Sequence, residues 1–412
     1  MCLATLLFLA VAAAIAAAAA TPPALLGAIY HRPANFNYSG ANGADEFLRD
    51  YRKRFGQLFE LPANENDTVG CGDAPCWRAG KYHYCLPTTY VIGVRKCGTS
   101  SMHDAVSAVV QAGKITGSAI HADDGVSLCT GKRAQKETHF LSSTSRCVFG
   151  GSCEGIVSTH CGATDAWTHR RDPLVLWTSM YQTLAGPACK SRAHYVESSP
   201  EAITQLGALA ALARILPRTA RYIIILRHPP SRAWSDFLFT RTDVCSNAPS
   251  KVTVRDGLHI YGDGVVAFNC SLPAIAVPAE FSAHVRRVPK GVCSLNRLIL
   301  GLGCYYFLIK KLPVNALVLR IEDWHANPTA FGHRLATYVG HGSTGSIPVR
   351  VHVKHVSHGM LQSPSIPQAT ACLLEELYTE PNARLAGLLG NAAFEWPEAR
   401  AKAMAGGCTQ LE

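Results

Sequence analysis

Charge is scarce in this chain. Asp, Glu, Lys and Arg make up 17% of its 412 residues against 48% apolar residues, a balance that excludes a disordered or charge-extended protein and leaves ample material for a core. No long basic run occurs, although 39 Lys and Arg outnumber 29 Asp and Glu for a formal charge of +10. A surplus so dispersed points to anionic ligands and gives no sign of the concentrated basic patch that binds nucleic acid. Cys-x-x-Cys pairs are missing as well, which argues against a zinc ribbon or a thioredoxin-like redox centre. Yet there are 16 cysteines, many for a cytosolic enzyme, and an oxidising compartment is the simpler explanation. The sequons at Asn37, Asn66 and Asn269 are compatible with a secretory route.

The first twenty residues contain nineteen apolar ones, ten of them Ala, and end at Thr21-Pro22-Pro23, which a helix would not continue through. Residues 1–24 therefore read as a targeting segment. No Lys or Arg precedes the run, so the charge rule leaves its topology open. Two readings stand: a retained signal anchor just long enough to span a bilayer, or a signal peptide cleaved at the Ala18-Ala19-Ala20 pattern. Residues 25–75, with Pro, Gly, Asn and charge between short apolar patches, read as a stem or irregular segment.

The most informative stretch is Tyr90-Val-Ile-Gly-Val-Arg-Lys-Cys-Gly-Thr-Ser-Ser-Met102. A β-prone run enters a loop bounded by glycines and leaves into the helical pattern of residues 102–110. Such a loop turns backbone N–H groups toward an anion, and the following helix N-terminus adds partial positive charge. Gly93 and Gly98 have the G-x-x-x-x-G spacing of a nucleoside-triphosphate loop, but Thr99-Ser100 follows where Lys-Ser/Thr would stand, and the lysine lies inside the loop as Lys96. A lysine there can reach the bridging oxygen of a mixed anhydride while the Thr99 and Ser100 hydroxyls hold a 5′-phosphate. Taken alone, the loop leaves a strand-to-helix turn carrying an exposed lysine as the competing reading.

A second segment shifts that balance. Arg221-Tyr-Ile-Ile-Ile-Leu-Arg227 has the composition of a buried parallel strand, and His-Pro-Pro-Ser-Arg-Ala-Trp-Ser235 begins a helix after it. Arg227 thus stands at the carboxyl end of a strand, where open α/β sheets bind ligands, and with Ser235 it can grip a separate phosphate.

Together these segments resemble the family of Golgi carbohydrate sulfotransferases that use 3′-phosphoadenosine 5′-phosphosulfate (PAPS). Within it the chain is most similar to the enzymes of chondroitin and dermatan sulfate, the N-acetylgalactosamine 4-sulfate 6-O-sulfotransferases above all. Arg95-Lys96-Cys97-Gly98-Thr99-Ser100 resembles the family's 5′-phosphosulfate loop, and Leu226-Arg227-His-Pro-Pro-Ser-Arg-Ala-Trp-Ser235 its 3′-phosphate motif. Cys76-Trp-Arg, Cys85-Leu-Pro, Lys136-Glu-Thr-His-Phe140, Glu197-Ser-Ser-Pro200, Gly301-Leu-Gly-Cys-Tyr305, Leu319-Arg-Ile-Glu-Asp323 and Tyr378-Thr-Glu-Pro381 follow in the expected order, so the resemblance covers about residues 75–397. Two departures stand out. His228 replaces the usual aspartate after the arginine, and residues 242–292 show no match.

The resemblance implies a P-loop-like α/β fold, with a central parallel sheet covered by helices on both faces and a catalytic domain over residues 76–400. It implies PAPS as nucleotide donor, no metal, a sulfated or unsulfated glycan as acceptor, no nucleic-acid partner, and the Golgi lumen as location, with the leader as a possible membrane anchor. Sulfuryl transfer needs a gripped donor, neutralisation of charge on the leaving phosphate oxygen, and a base for the acceptor hydroxyl. Lys96 suits the leaving-group role. Glu137, matching the family's catalytic glutamate, is the expected base, and His139, on the same face of a strand-like segment, is the alternative. Cys97 fills space in the loop, and Glu322-Asp323 is structural.

Strands are expected near 90–94, 137–140, 194–197, 221–226 and 316–320, and helices over 201–214 and 296–311. Cysteines 129, 147, 153, 161 and 189 mark a disulfide-braced insertion, and His352, His355 and His358 read as exposed loop residues. Two other functions remain open: a nucleotide kinase or NTPase, and a catalytically inactive glycan-binding protein on the same fold.

Overall fold

The computed structural model describes residues 27–32, 43–55, 76–79, 82–112, 141, 183–184, 196–216, 220–246, 252–255, 258–261, 266–287, 293, 299–340 and 365–408. The leader, Glu137, His139, the histidines at 352, 355 and 358, and the cysteines at 129, 147, 153, 161 and 189 lie outside these residues.

In chain order the described elements are β1 (Ala28–Tyr30), α1 (Ala44–Phe55), β2 (Cys76–Ala79), β3 (Tyr82–Cys85), β4 (Thr89–Gly93), α2 (Thr99–Ala112), β5 (Thr183–Leu184), β6 (Val196–Glu197), α3 (Leu206–Ile215), β7 (Arg221–Leu226), α4 (Pro229–Ser246), β8 (Val252–Arg255), β9 (Leu258–Tyr261), β10 (Val266–Phe268), α5 (Val277–Arg286), α6 (Tyr305–Ile309), β11 (Ala316–Arg320), α7 (Ile321–Ala326), α8 (Pro328–Val339), α9 (Gln368–Leu389) and α10 (Pro397–Ala405).

The centre is a five-stranded sheet in the order β1-β11-β7-β4-β6. Its three middle strands are apolar without polar alternation, as strands covered on both faces must be, and apart from Arg221 they are buried from end to end. In β7 alone Ile223, Ile224, Ile225 and Leu226 are fully buried, each contributing about 1.5–3 kcal/mol relative to exposure.

β4, β6, β7 and β11 run parallel, so their carboxyl ends share one edge. From β4 the chain moves outward to β6 and then returns past β4 to β7. Right-handed crossovers in opposite directions put α2 and α3 on opposite faces. The packing agrees: α8 lies against α2, and α1 against α3. Asn327 and Pro328 set the start of α8, the Asn327 side chain accepting from Ala330 N at 3.0 Å, and Gly340 in the left-handed region ends it.

The expected α/β class, a largely parallel sheet flanked by helices, is what the chain adopts. Its details differ in three places. Part of the segment read as an irregular stem joins the fold: β1 pairs antiparallel with β11 at the sheet edge, and the apolar face of α1, with Phe47 and Tyr51, is buried in the same core as α3. The helix expected over 201–214 breaks at Gln205 into a 3-10 turn, Ala202–Thr204, and α3. The one expected over 296–311 is a 3-10 turn, Gly301–Gly303, followed by α6. There a Cβ on Gly303 would lie 2.7 Å from the Tyr378 ring, so this backbone sits directly on α9.

The described residues within 242–292, unmatched in sequence, build a subsidiary unit against α4. β8, β9 and β10 form an antiparallel sheet. Phe268 and Phe281 pack on Trp234 and Phe237 of α4, a disulfide joins Cys245 to Cys270, and Arg241 braces Glu280 at 2.8 Å. A second antiparallel sheet has the order β2-β3-β5. Disulfides also join Cys293 to Cys304 and Cys372 to Cys408.

Candidate functional site

Because β4 and β7 are neighbours whose connections leave toward opposite faces, the topological switch point lies between their carboxyl ends, the position where sheets of this kind take ligands. Both sequence-predicted anion segments arrive there. Residues 94–98 follow β4, Arg227 follows β7, and Val94 N donates to Ile225 O at 3.0 Å, holding the loop onto the neighbouring strand.

Two glycines allow the loop its path. A Cβ on Gly93 would come within 2.8 Å of Ile203, and one on Gly98, at φ +92°, within 2.7 Å of Ile321. Lys96 between them also has positive φ, 67°, a conformation that costs a non-glycine residue about 1–3 kcal/mol and collects at functional sites. Its ammonium stands 4.2 Å above the ring of Phe239, an aromatic side chain 45% exposed on α4. Thr99 and Ser100 open α2, so their hydroxyls and the first-turn N–H groups gather at one helix end.

Arg227 is half-buried at the strand end. Ser235 lies in the second turn of α4 and is half-buried on the flank that also carries Phe239, one turn on. The site thus brings together Arg95, Lys96, Cys97, Gly98, Thr99, Ser100 and the start of α4 behind Arg227. Glu137 and His139 fall outside the described residues.

Asp236, Arg232 and Tyr305 are supporting groups to which the sequence reading gave no role. Asp236, fully buried on α4, faces two guanidiniums: Arg95 of the loop at 2.8 Å and Arg232, itself fully buried, at 3.0 Å. Burial is the largest single influence on Arg232 and lowers its pKa, but Asp236, Tyr305, Tyr378 and Cys97 together exceed it and hold the guanidinium charged. Arg232 also donates to the carbonyl of Ile299.

Tyr305, at the start of α6, donates its hydroxyl to the Arg227 carbonyl at 2.7 Å and meets Cys97 Sγ at 3.5 Å. Glu322 holds the backbone just after Arg227. It accepts from His228 N at 2.8 Å and from Trp396 Nε1 at 3.1 Å, while His228 Nε2 lies 2.9 Å from Glu375 of α9. Asp323 pairs with Arg320, so the Glu322-Asp323 pair has the structural role expected of it. Arg232 and Asp236 are four residues apart on one helix, a spacing legible in sequence, whereas the Tyr305 partner Cys97 lies 208 residues away.

Burial pushes the Cys97 thiol up to about 11, with Arg232, Tyr305 and Arg227 offsetting only part of that rise. The sulfur is therefore a neutral packing and hydrogen-bonding group at pH 7. Its folded value lies above the ordinary 9.0, so the stability it contributes is complete below pH 9 and is lost as pH rises toward 11. The melting temperature of Cys97→Ala should accordingly fall less steeply between pH 9 and 11 than that of the parent chain. Parallel curves would refute the assignment.

No protein-family model and no curated protein matches this chain. Among solved structures, the crystal structure of a sulfotransferase from Alicyclobacillus acidocaldarius is similar, with a TM-score of 0.42 and 17% identity over 75% of this chain and 98% of that one. A likeness so distant carries no argument about activity, which rests on the two anion loops and the groups behind them.

Proposed function

We propose that this chain is a carbohydrate sulfotransferase that moves the sulfuryl group of PAPS to a glycan hydroxyl, in a chondroitin- or dermatan-like chain the 6-O position of N-acetylgalactosamine. One observation carries the reading: the lysine-bearing loop after β4 and the arginine after β7 stand side by side at the carboxyl ends of adjacent parallel strands, tied to each other through Val94 and Tyr305. A ligand with one phosphate needs one such loop; a nucleotide bearing separate 5′ and 3′ phosphates uses both. The close approach allowed by Gly98 and the strained Lys96 fit a backbone cradle for the 5′ end.

In this reading the loop N–H groups with Thr99 and Ser100 hold the 5′-phosphate, and Arg227 with Ser235 holds the 3′-phosphate. Attack by the acceptor oxygen forms the new S–O bond while the bond from sulfur to the bridging phosphate oxygen breaks. Lys96 stabilises the charge on that leaving oxygen, and the acceptor proton passes to Glu137, with His139 as the alternative base.

Three disulfides among the described residues and the apolar leader support an oxidising secretory compartment, the Golgi lumen. Among the described residues no helix is long and apolar enough to cross a membrane, so anchoring would fall to residues 1–24.

The test is transfer from sulfur-labelled PAPS to a panel of glycans, with linkage analysis of the product. Label on the 6-O of N-acetylgalactosamine 4-sulfate units is expected. Label at another position or sugar would reassign the acceptor, and magnesium-dependent ATP turnover with indifference to PAPS would replace the reading by a kinase.

A further inference from the structure

We infer that Tyr305 is a positioning residue that couples the two phosphate sites, so that grip on the 3′-phosphate is felt at the loop carrying Lys96; this rests on the donor assignment proposed above.

Tyr305 is 1% exposed, and its hydroxyl is placed between the backbone of Arg227 and the side chain of Cys97, the residue next to Lys96. The direction of the chain of bonds follows from elementary chemistry. A carbonyl only accepts, so the single phenolic proton goes to Arg227 O, and the Tyr305 oxygen is left to accept from the Cys97 S–H. Both groups must stay protonated for this, and burial raises both pKa values. The result is a relay, Cys97 S–H to Tyr305 O–H to Arg227 C=O, joining residues 130 positions apart in sequence at the point where each anion segment leaves its strand.

The anchor at its middle is stiff. Tyr305 opens a five-residue helix directly after Cys304, whose disulfide to Cys293 fixes that end, and its ring packs on Trp396. Displacing Arg227 as it engages a phosphate therefore strains Tyr305, and Tyr305 bears on Cys97. By linkage the effect is reciprocal: an ordered 5′-loop presents a better-placed Arg227. The stretch from Gly301 to Tyr305, prominent in the sequence but without a role in the chemistry, acquires one.

The experiment is calorimetric titration with adenosine 3′,5′-bisphosphate and adenosine 5′-phosphate, using the parent chain, Tyr305→Phe, Arg227→Ala and the double variant. Tyr305→Phe removes one oxygen and keeps the ring. Bisphosphate affinity should fall about tenfold while monophosphate affinity changes less than about twofold, at a melting temperature near that of the parent. In the double variant the bisphosphate loss should be close to that of Arg227→Ala alone, because the relay has nothing left to position.

Equal losses for both nucleotides, no loss for either, or additive losses in the double variant would overturn the coupling. A parent chain that binds the bisphosphate no better than the monophosphate would instead remove the donor assignment, and the coupling with it. If Tyr305→Phe does not fold, Cys97→Ala cuts the relay from the loop side and should give the same selective loss; failure to do so would equally overturn it.

Discussion

Lys96→Ala should slow sulfuryl transfer by about 10²- to 10³-fold, the range seen when one group stabilising a developing oxyanion is removed. The effect should appear in turnover and also in donor affinity, since in the proposed mechanism the ammonium faces the phosphosulfate in both ground and transition states. Lys96→Gly gives a sharper comparison. It loses the same charge but relieves the positive φ of 67°, so it should be equally inactive while melting at or above the temperature of the alanine variant. If Glu137 is the base, as proposed, Glu137→Gln should cut turnover by about 10²- to 10⁴-fold with donor affinity unchanged. Near-normal turnover for Glu137→Gln together with an inactive His139→Ala would transfer the base to the histidine; full activity of Lys96→Ala would remove the lysine from the reaction.

Asp236→Asn should cost about 3–5 kcal/mol of stability, the usual result of stranding a buried charge. Its carboxylate is the shared counter-charge of Arg95 and Arg232, and Arg232 is 0% exposed with no water to turn to. The midpoint of denaturant unfolding should fall with little change in slope. Replacing the pair together, as Arg232→Met with Asp236→Leu, should recover much of the loss, because a fully apolar pair strands no charge. Loss of donor binding should persist in that double variant, since Arg95 would still lack its tether. A single variant as stable as the parent would show that Arg232 finds another partner.

What could be read from sequence is what depends on near neighbours. β4 and β7 are unbroken apolar runs ending at glycine or arginine, and the loop between Gly93 and Gly98 has a spacing that few local structures other than an anion cradle use. The strand near 316–320 was legible for the same reason. Elements that owe their form to distant residues were not: β1 has only three residues and exists because β11 offers an edge, and the helix expected over 296–311 gives way to a turn because Gly301–Gly303 lies against Tyr378. Tyr305 and Glu322, and Asp236 in its pairing with Arg95, act across separations no local pattern registers. His228 stands where the resemblance has an aspartate, and carboxylates of α7 and α9 meet its backbone N–H and its imidazole, contacts that no local pattern announces.

β1 also sets a tether length. Its Tyr30 hydroxyl donates to Lys310 O at 3.3 Å, and Arg32 N just beyond it donates to Asn315 Oδ1 at 2.8 Å, so the fold takes in residue 28, inside the segment 25–75. From residue 24 to residue 28 a chain reaches at most about 14 Å. With residues 1–24 held in a bilayer, that leash would keep the edge of the sheet at the headgroup surface, with no freedom to sample the lumen. Acceptor glycans would then be met at the membrane, favouring chains on membrane-bound carriers over soluble ones. Cleavage at Ala20 would release the same unit whole.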